Sequence, residues 1–371
     1  MMVGQPQLIK EVNIDIIHKL IFERGPISKP KLSKITNLSL PTVNKIVDIL
    51  ENDGVIKQQG STDNGVGRKA KMYIGNNNLG NIIALYFLND SYRCCLVDIL
   101  GNIIKSKTFP VETGTTSQAA LDSTFHAIDH MINLSNAQVK AIGIGVPGVV
   151  MQDDRITSIP NIAEWENINL KQLVEQRYGV STYVENDVKL TTIGYYHTNL
   201  KEKYDNMVYF YIGKGLGSGV IINQRLLKGF SSFAGELGYL TLDNKVDSDK
   251  PGHYASKGGW LELEIQSLVQ RLNSCAENEL EALQSRYDML VACAMANFIV
   301  VLNPDIIVLR GTAITEQSLE KIRCILSEYI PRESIPQLIY CNSDDYGISG
   351  IISMCLSNIS VRKHFVVEKG V

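Results

Sequence analysis

An α/β chain is predicted: a small winged helix-turn-helix head at the N-terminus, followed by two α/β lobes with a cleft between them. Three observations carry that expectation. Residues 1–78 show helical apolar spacing broken at Gly25-Pro26, Asn37-Leu38 and Asp53-Gly54, then two short strand-like runs around a glycine-rich tip. From residue 79 onward, sets of two or three strand-like runs followed by helices occur twice. The charge divides along the same line: residues 1–80 hold 11 Lys+Arg against 7 Asp+Glu, and the rest of the 371 residues hold 25 against 32. The overall net charge of −3, taken alone, argues against nucleic acid, but the partition makes a basic head on an acidic body.

Composition excludes several classes. With 44% hydrophobic and 20% charged residues the chain is globular, neither disordered nor fibrous. The seven cysteines form no Cys-x-x-Cys pair and read as reduced, buried thiols. Residues 1–13 lack the apolar core of a signal peptide, and no uninterrupted apolar run reaches the roughly 18–20 residues that span a bilayer. A cytoplasmic protein with no membrane partner is expected.

In the head, Leu8, Val12, Ile16, Leu20 and Ile21 predict the inward stripe of a helix over 8–22. Ser28 caps a short helix over 29–36, with Leu32 and Ile35 inward. Ser39 caps a third helix, with Pro41 in its first turn and Val43, Ile46, Val47 and Leu50 buried. Val55–Gln58 and Lys71–Ile74 read as the wing strands. This order predicts double-stranded DNA as a partner, with Ser39, Leu40, Thr42, Asn44 and Lys45 facing the major groove. Arg68 and Lys69 at the wing tip would approach a phosphate or the minor groove. Taken singly, Lys29, Lys31, Lys34, Lys45, Arg68 and Lys69 fit a solvated face equally well.

In the body, strands are expected at Ile82–Leu88, Arg93–Asp98, Ile103–Lys107, Ala141–Val146, Thr182–Glu185 and Met207–Ile212. Helices are expected at Thr116–Leu134, at Leu170–Tyr178 and from Asp187. The alternating Gly213, Gly215, Gly217 and Gly219 suit either phosphate approach or a tight hairpin. Glu185-Asn186-Asp187 suits a carboxylate that accepts sugar hydroxyls, a general base, or a helix N-cap.

Taken in order, Gly143-Ile-Gly-Val-Pro-Gly148, Pro160-Asn161, Glu185-Asn-Asp187, the glycines 213–219, Gly235-Glu-Leu-Gly238 and Asn303-Pro-Asp-Ile-Ile-Val-Leu309 resemble the ROK family (repressors, open reading frames and sugar kinases) along the whole chain. With the winged head, the likeness is to its sugar-responsive repressor branch, of the xylose-repressor and N-acetylglucosamine-repressor kind. The resemblance implies an actin-like, ribonuclease H-like sugar kinase fold over residues 79–371. Its small lobe would take about 79–195 plus the C-terminal helix, and its large lobe about 196–350. It also implies a sugar pocket lined by Asn161, Asn186, Asp187, Glu236 and Glu262.

The departures from the family pattern carry as much. Where family kinases have Asp-x-Gly-x-Thr for ATP phosphate, this chain has Tyr86-Phe-Leu-Asn-Asp90, and Arg310-Gly311 replaces the adenosine-side Gly-Gly. Leu88 blocks backbone approach and Asp90 adds like charge. At the family's zinc positions stand Tyr239, His253, Ala255 and Trp260. No kinase activity, cofactor or metal is therefore expected. The expectation is a repressor that binds operator DNA as a homodimer or dimer of dimers, since one winged head reads a half-site. Helical segments 264–273 and 285–301 are the candidate dimer faces. The alternative is an active ROK sugar kinase carrying a DNA-binding head.

Overall fold

A computed structural model describes residues 6–62, 70–88, 91–110, 116–157, 167–213, 215–242, 258–343 and 345–359. The head comprises α1 (Pro6–Arg24), α2 (Lys29–Thr36) and α3 (Leu40–Asn52), with β1 (Ile27–Ser28), β2 (Ile56–Thr62) and β3 (Ala70–Gly75). The strands form an antiparallel sheet in the order β1-β3-β2. The helix starts follow the expected caps: Ser28 accepts the Lys31 N–H and Ser39 accepts the Thr42 N–H. Asn37 ends α2 in the left-handed region, a conformation asparagine tolerates.

The expected inward stripe of α1 is a correction. Ile14, Ile17 and Ile21 are buried, Leu20 is partly buried, and Val12 and Ile16 face solvent; the Leu8 side chain lies outside the described residues. The helix carries apolar residues on two opposite faces, so spacing alone did not select the buried one. Ile35 is also exposed, leaving Leu32 as the α2 anchor. Val43, Ile46, Val47 and Leu50 are buried as predicted.

Each lobe is built on a five-stranded sheet with one repeated logic. In the first, β4 (Asn81–Phe87), β5 (Ser91–Asp98) and β6 (Ile103–Pro110) are antiparallel. Then β7 (Val139–Val146) and β8 (Thr182–Asn186) join parallel on the other side of β4. In the second, β9 (Met207–Ile212), β10 (Leu216–Ile222) and β11 (Arg225–Leu226) are antiparallel, and β12 (Ile306–Gly311) and β13 (Gln337–Tyr340) add parallel to β9. The orders β6-β5-β4-β7-β8 and β11-β10-β9-β12-β13 are the same motif twice. Helices α4 (Ser117–Leu134), α5 (Leu170–Tyr178), α6 (Asp187–Asn199), α7 (Trp260–Leu272), α8 (Glu277–Leu302), α9 (Glu316–Tyr329) and α10 (Tyr346–Asn358) complete the described elements.

Helix α6 touches both lobes. It packs on β10, where a Cβ at Gly217 or Gly219 would strike Val188 or Thr192. It packs on α10 through Gly194 and Gly350, where a Cβ would strike backbone. The alternating glycines therefore belong to a β9–β10 hairpin made smooth for a helix to lie on it.

The head is joined to the first lobe by a shared core. Ile14, Ile17 and Ile21 of α1 belong to the same buried cluster as Ile82, Val97, Ile99, Ile352 and Ile359. Gly75 sits between Leu100 and Phe22, with an added Cβ 2.5 and 2.9 Å from them. Arg24 pairs with Glu202 at 3.1 Å and Lys201 with Glu23 at 3.2 Å, both just beyond the end of α6.

One smaller expectation is sharpened and one corrected. Helix α8 is, by length and composition, long and apolar enough to cross a bilayer, although Asp288 and the charged residues before it interrupt its apolar run. Here it is a core helix, with Leu283, Tyr287, Asp288, Val291, Met295 and Ile299 buried against α7 and α9. Of the seven thiols, Cys94, Cys95, Cys341 and Cys355 are buried, Cys275 and Cys293 are half-buried, and Cys324 is exposed; none is in a disulfide.

Candidate effector site and nucleic-acid interface

The outward face of α3 is set by its cap. Ser39 Oγ lies 3.3 Å from the Thr42 amide and 2.8 Å from the Thr42 hydroxyl, so it is already engaged in holding the helix start. Leu40 and Lys45 are exposed and Thr42 and Asn44 half-exposed, outside the buried stripe of Val43, Ile46, Val47 and Leu50. Lys31 and Lys34 on α2 are exposed beside them. Lys29 is different: its Nζ meets Asp48 Oδ1 at 2.5 Å and lies 5.3 Å over the Tyr73 ring. It ties α2 to α3 and to the wing, and its charge is spent there. Arg68 and Lys69 lie outside the described residues.

The second site lies where β8 ends and α6 begins. Asn186 is the N-cap, its Oδ1 accepting the Lys189 amide at 3.0 Å. Its Nδ2 donates to Gly148 O and to Asp187 Oδ1, both at 3.1 Å. Asn186 is thus occupied in holding Asp187, which also accepts the Val188 N–H at 2.8 Å. The N-cap and carboxylate readings of this tripeptide are both realised, on neighbouring residues.

Glu236 acts on Asp187 from one side and on Glu262 from the other. Burial pushes the Asp187 carboxyl up to about 7; the Val188 N–H opposes this and the charge of Glu236 adds to it. Burial likewise raises Glu236, against the pull of Lys189, and raises Glu262, against the Leu216 amide and with the charge of Glu236. Glu262 accepts the Gln266 amide at 2.8 Å and the Leu216 N–H at 3.5 Å. The charge of Glu236 thus acts on both Asp187 and Glu262, which links Asn186, Asp187, Glu236 and Glu262 of the expected set through Glu236. Asn161 lies outside the described residues.

Two lysines were not anticipated. Lys189 is 1% exposed and donates to the Ser232 carbonyl and, at 3.5 Å, to Glu236. Lys228 pairs at 2.6 Å with Glu185, which is itself buried. A lysine between apolar neighbours, as in Val188-Lys189-Leu190, is the one sequence signal that pointed to a buried partner.

At the strand end where family kinases bind phosphate, Tyr86 fills the space. A Cβ on Gly145 or Gly347 would strike its ring, and its hydroxyl lies 3.3 Å from Thr191 Oγ1. Leu88 is exposed, and Asn89 and Asp90 lie outside the described residues. Trp260 packs into the second lobe's core, while the Tyr239 ring packs tilted against Phe233 at 4.9 Å; His253 and Ala255 lie outside the described residues. A cavity of about 480 Å³ opens away from the carboxylates, between the head's last turn and the first lobe, lined by Asn77, Asn78, Asn81 and Asp98.

The ROK family model matches residues 89–354, and a winged helix-turn-helix DNA-binding model matches residues 11–57. The chain is 26% identical to the xylose repressor of Bacillus subtilis over 375 residues, 94% of this chain and 97% of that one. It is 23% identical to the DNA-binding transcriptional dual regulator NagC of Escherichia coli over 245 residues, 65% of this chain and 60% of that one. A crystal structure of a ROK family transcriptional regulator, a homologue of the E. coli MLC protein, superposes with a TM-score of 0.75 at 18% identity, covering 96% of this chain and 99% of that one. The ROK hexokinase of Thermus thermophilus superposes with a TM-score of 0.60 at 19% identity, covering 75% of this chain and 97% of that one.

Proposed function

The chain belongs to the ROK family, and from that membership and its winged head we propose that it is a sugar-responsive, DNA-binding transcriptional repressor of carbohydrate-metabolism genes. One observation supports this reading above the others. The exposed face of α3 and the carboxylate cluster lie on two bodies that meet through the core shared by α1 and the first lobe and through the end of α6. Its first residue, Asp187, belongs to the cluster, and just past its last turn Lys201 and Glu202 pair with Glu23 and Arg24 of the head.

In this reading the head is residues 1–78 and the sugar-binding part 79–371. Leu40, Thr42, Asn44, Lys45, Arg68 and Lys69 meet operator DNA, with Ser39 holding the helix start. Asp187 and Glu236 accept hydroxyls of a sugar, oriented by Asn186 and Lys189, with Glu262 and Asn161 lining the pocket. Tyr86, filling the phosphate position, supports binding without ATP-dependent phosphoryl transfer. The protein acts in the cytoplasm as a homodimer or dimer of dimers. Val300 and Val301 on α8, 76% and 78% exposed, support that face as the subunit contact.

The test is a shift assay with the protein's own upstream DNA across a salt series. Preferential binding is expected, with affinity falling at a log–log slope of about −0.9 per phosphate neutralised, and weakened or strengthened by a neutral sugar. No preference over random DNA would sink the proposal, and robust turnover in an ATP-coupled assay over a hexose and pentose panel would favour the kinase alternative.

A further inference from the structure

Tyr86 stands near the end of β4, in a row that crosses three strands. The register sets it abreast of Gly145 on β7, and Gly145 abreast of Glu185 on β8. Gly145 carries no side chain, and the Tyr86 ring takes that space: a Cβ there would lie 2.7 Å from the ring and 2.7 Å from Leu190 of α6. Gly347, in the first turn of α10, makes room for the same ring, which a Cβ would strike. The ring is thus seated among β4, β7 and α10, and its hydroxyl lies 3.3 Å from Thr191 Oγ1. Thr191 is buried and sits one helical turn from Asp187, on the same face of α6. Helix α10 packs on β4 and β7 of the first lobe, whereas α6 packs on β10 of the second. The Tyr86–Thr191 contact therefore runs from the first lobe to the helix that carries Asp187 along the second.

We propose that Tyr86 is a positioning residue of the effector site: through Thr191 it fixes the first two turns of α6, and with them Asp187, relative to the first lobe. A carboxylate that must meet a hydroxyl at hydrogen-bond distance has to be held within about 0.5 Å of its place. The ring supplies the bulk that keeps α6, β7 and α10 apart, and the hydroxyl supplies the register along α6. Phenylalanine would keep the first and lose the second. Tyr86 acts in this way on the helix and not on the effector. The inference rests on the sugar-effector reading above.

Calorimetric titration of D-glucose, D-xylose and N-acetyl-D-glucosamine into the full-length protein and its variants tests it. The wild type should bind at least one of the three. Tyr86→Phe and Thr191→Val should each weaken that sugar roughly 2- to 10-fold, the range of one lost hydrogen bond. The double variant should bind about as well as the weaker single one, because both changes remove the same contact. Tyr86→Ala, which also empties the space over Gly145, should weaken the sugar at least tenfold. A wild-type Kd in both Tyr86→Phe and Thr191→Val assigns the ring to packing alone and overturns the positioning role, with the sugar site left standing. Losses that multiply in the double variant overturn it as well, since the two residues would then act apart. No binding of any of the three sugars by the wild type overturns the sugar-effector reading and this inference with it.

Discussion

Asp187 holds its proton in the folded protein up to about pH 7, whereas an unstrained aspartate releases it near 3.8. Between those values the folded state binds more protons than the unfolded chain, so this residue makes stability fall as pH rises through that window. Asp187→Asn keeps the oxygen that accepts from Val188 and Asn186 and removes the titration. The variant should therefore gain on the wild type from pH 5 to pH 8, by about 1–3 kcal/mol after allowance for the site's partial exposure. Urea melts at several pH values check this, and parallel curves would contradict the burial argument. Lys189→Met leaves Glu236 and the Ser232 carbonyl without their buried partner. It should cost about 3–5 kcal/mol, part of it recovered in the double variant with Glu236→Gln. Asp187, Glu236 and Glu262 were legible because short motifs name them. Lys189, Lys228 and the pairing of Glu185 were not, because an ion pair between β8 or α6 and a loop some 40 residues later exists only once the lobes are assembled.

At the scale of elements, capping chemistry was the most readable signal. The starts of α2, α3, α4 and α6 fall beside Ser28, Ser39, Thr116 and Asn186, each accepting a first-turn N–H. The facing of α1 was not readable, since Ile9, Val12 and Ile16 form a second apolar stripe that no described neighbour covers. The glycine series had two readings from sequence, and the partner decided between them. Gly219 is smooth because Thr192, fully buried, bears directly on it. Gly219→Ala must push α6 away from β10, and overpacking of this kind costs about 1–3 kcal/mol. The expected result is a lower melting temperature together with weaker sugar binding, because Asp187 rides on the displaced helix. A variant with wild-type stability would return the phosphate-loop reading to consideration.

For the whole molecule, the proposed function asks how occupancy of the cleft would reach DNA. Two lobes with recurring strand sets were legible in the spacing of strand-like runs, but the five-stranded order of each sheet and the merging of the head's core with the first lobe were not, because nothing local records which surfaces meet. That merger matters mechanically. A sugar that binds open and closed lobe arrangements with different affinity moves α6 relative to one of them, and no linkage arises if the affinities are equal. The far end of α6 is tied to the head by Glu202–Arg24 and Lys201–Glu23. Exposed ion pairs carry little energy each, so the transmitting contact is the apolar one, where Phe22 and Leu100 close over Gly75. Phe22→Ala should leave sugar affinity and sugar-free DNA affinity within about threefold of wild type. The ratio of DNA affinities with and without sugar should fall toward one, from the 5- to 150-fold range usual for coupled sites. Fluorescence anisotropy with labelled operator DNA, with and without saturating sugar, measures all three quantities on one protein. A variant that retains the full ratio would place the coupling outside this joint, and a variant that loses sugar binding itself would show that the joint builds the pocket rather than reports on it.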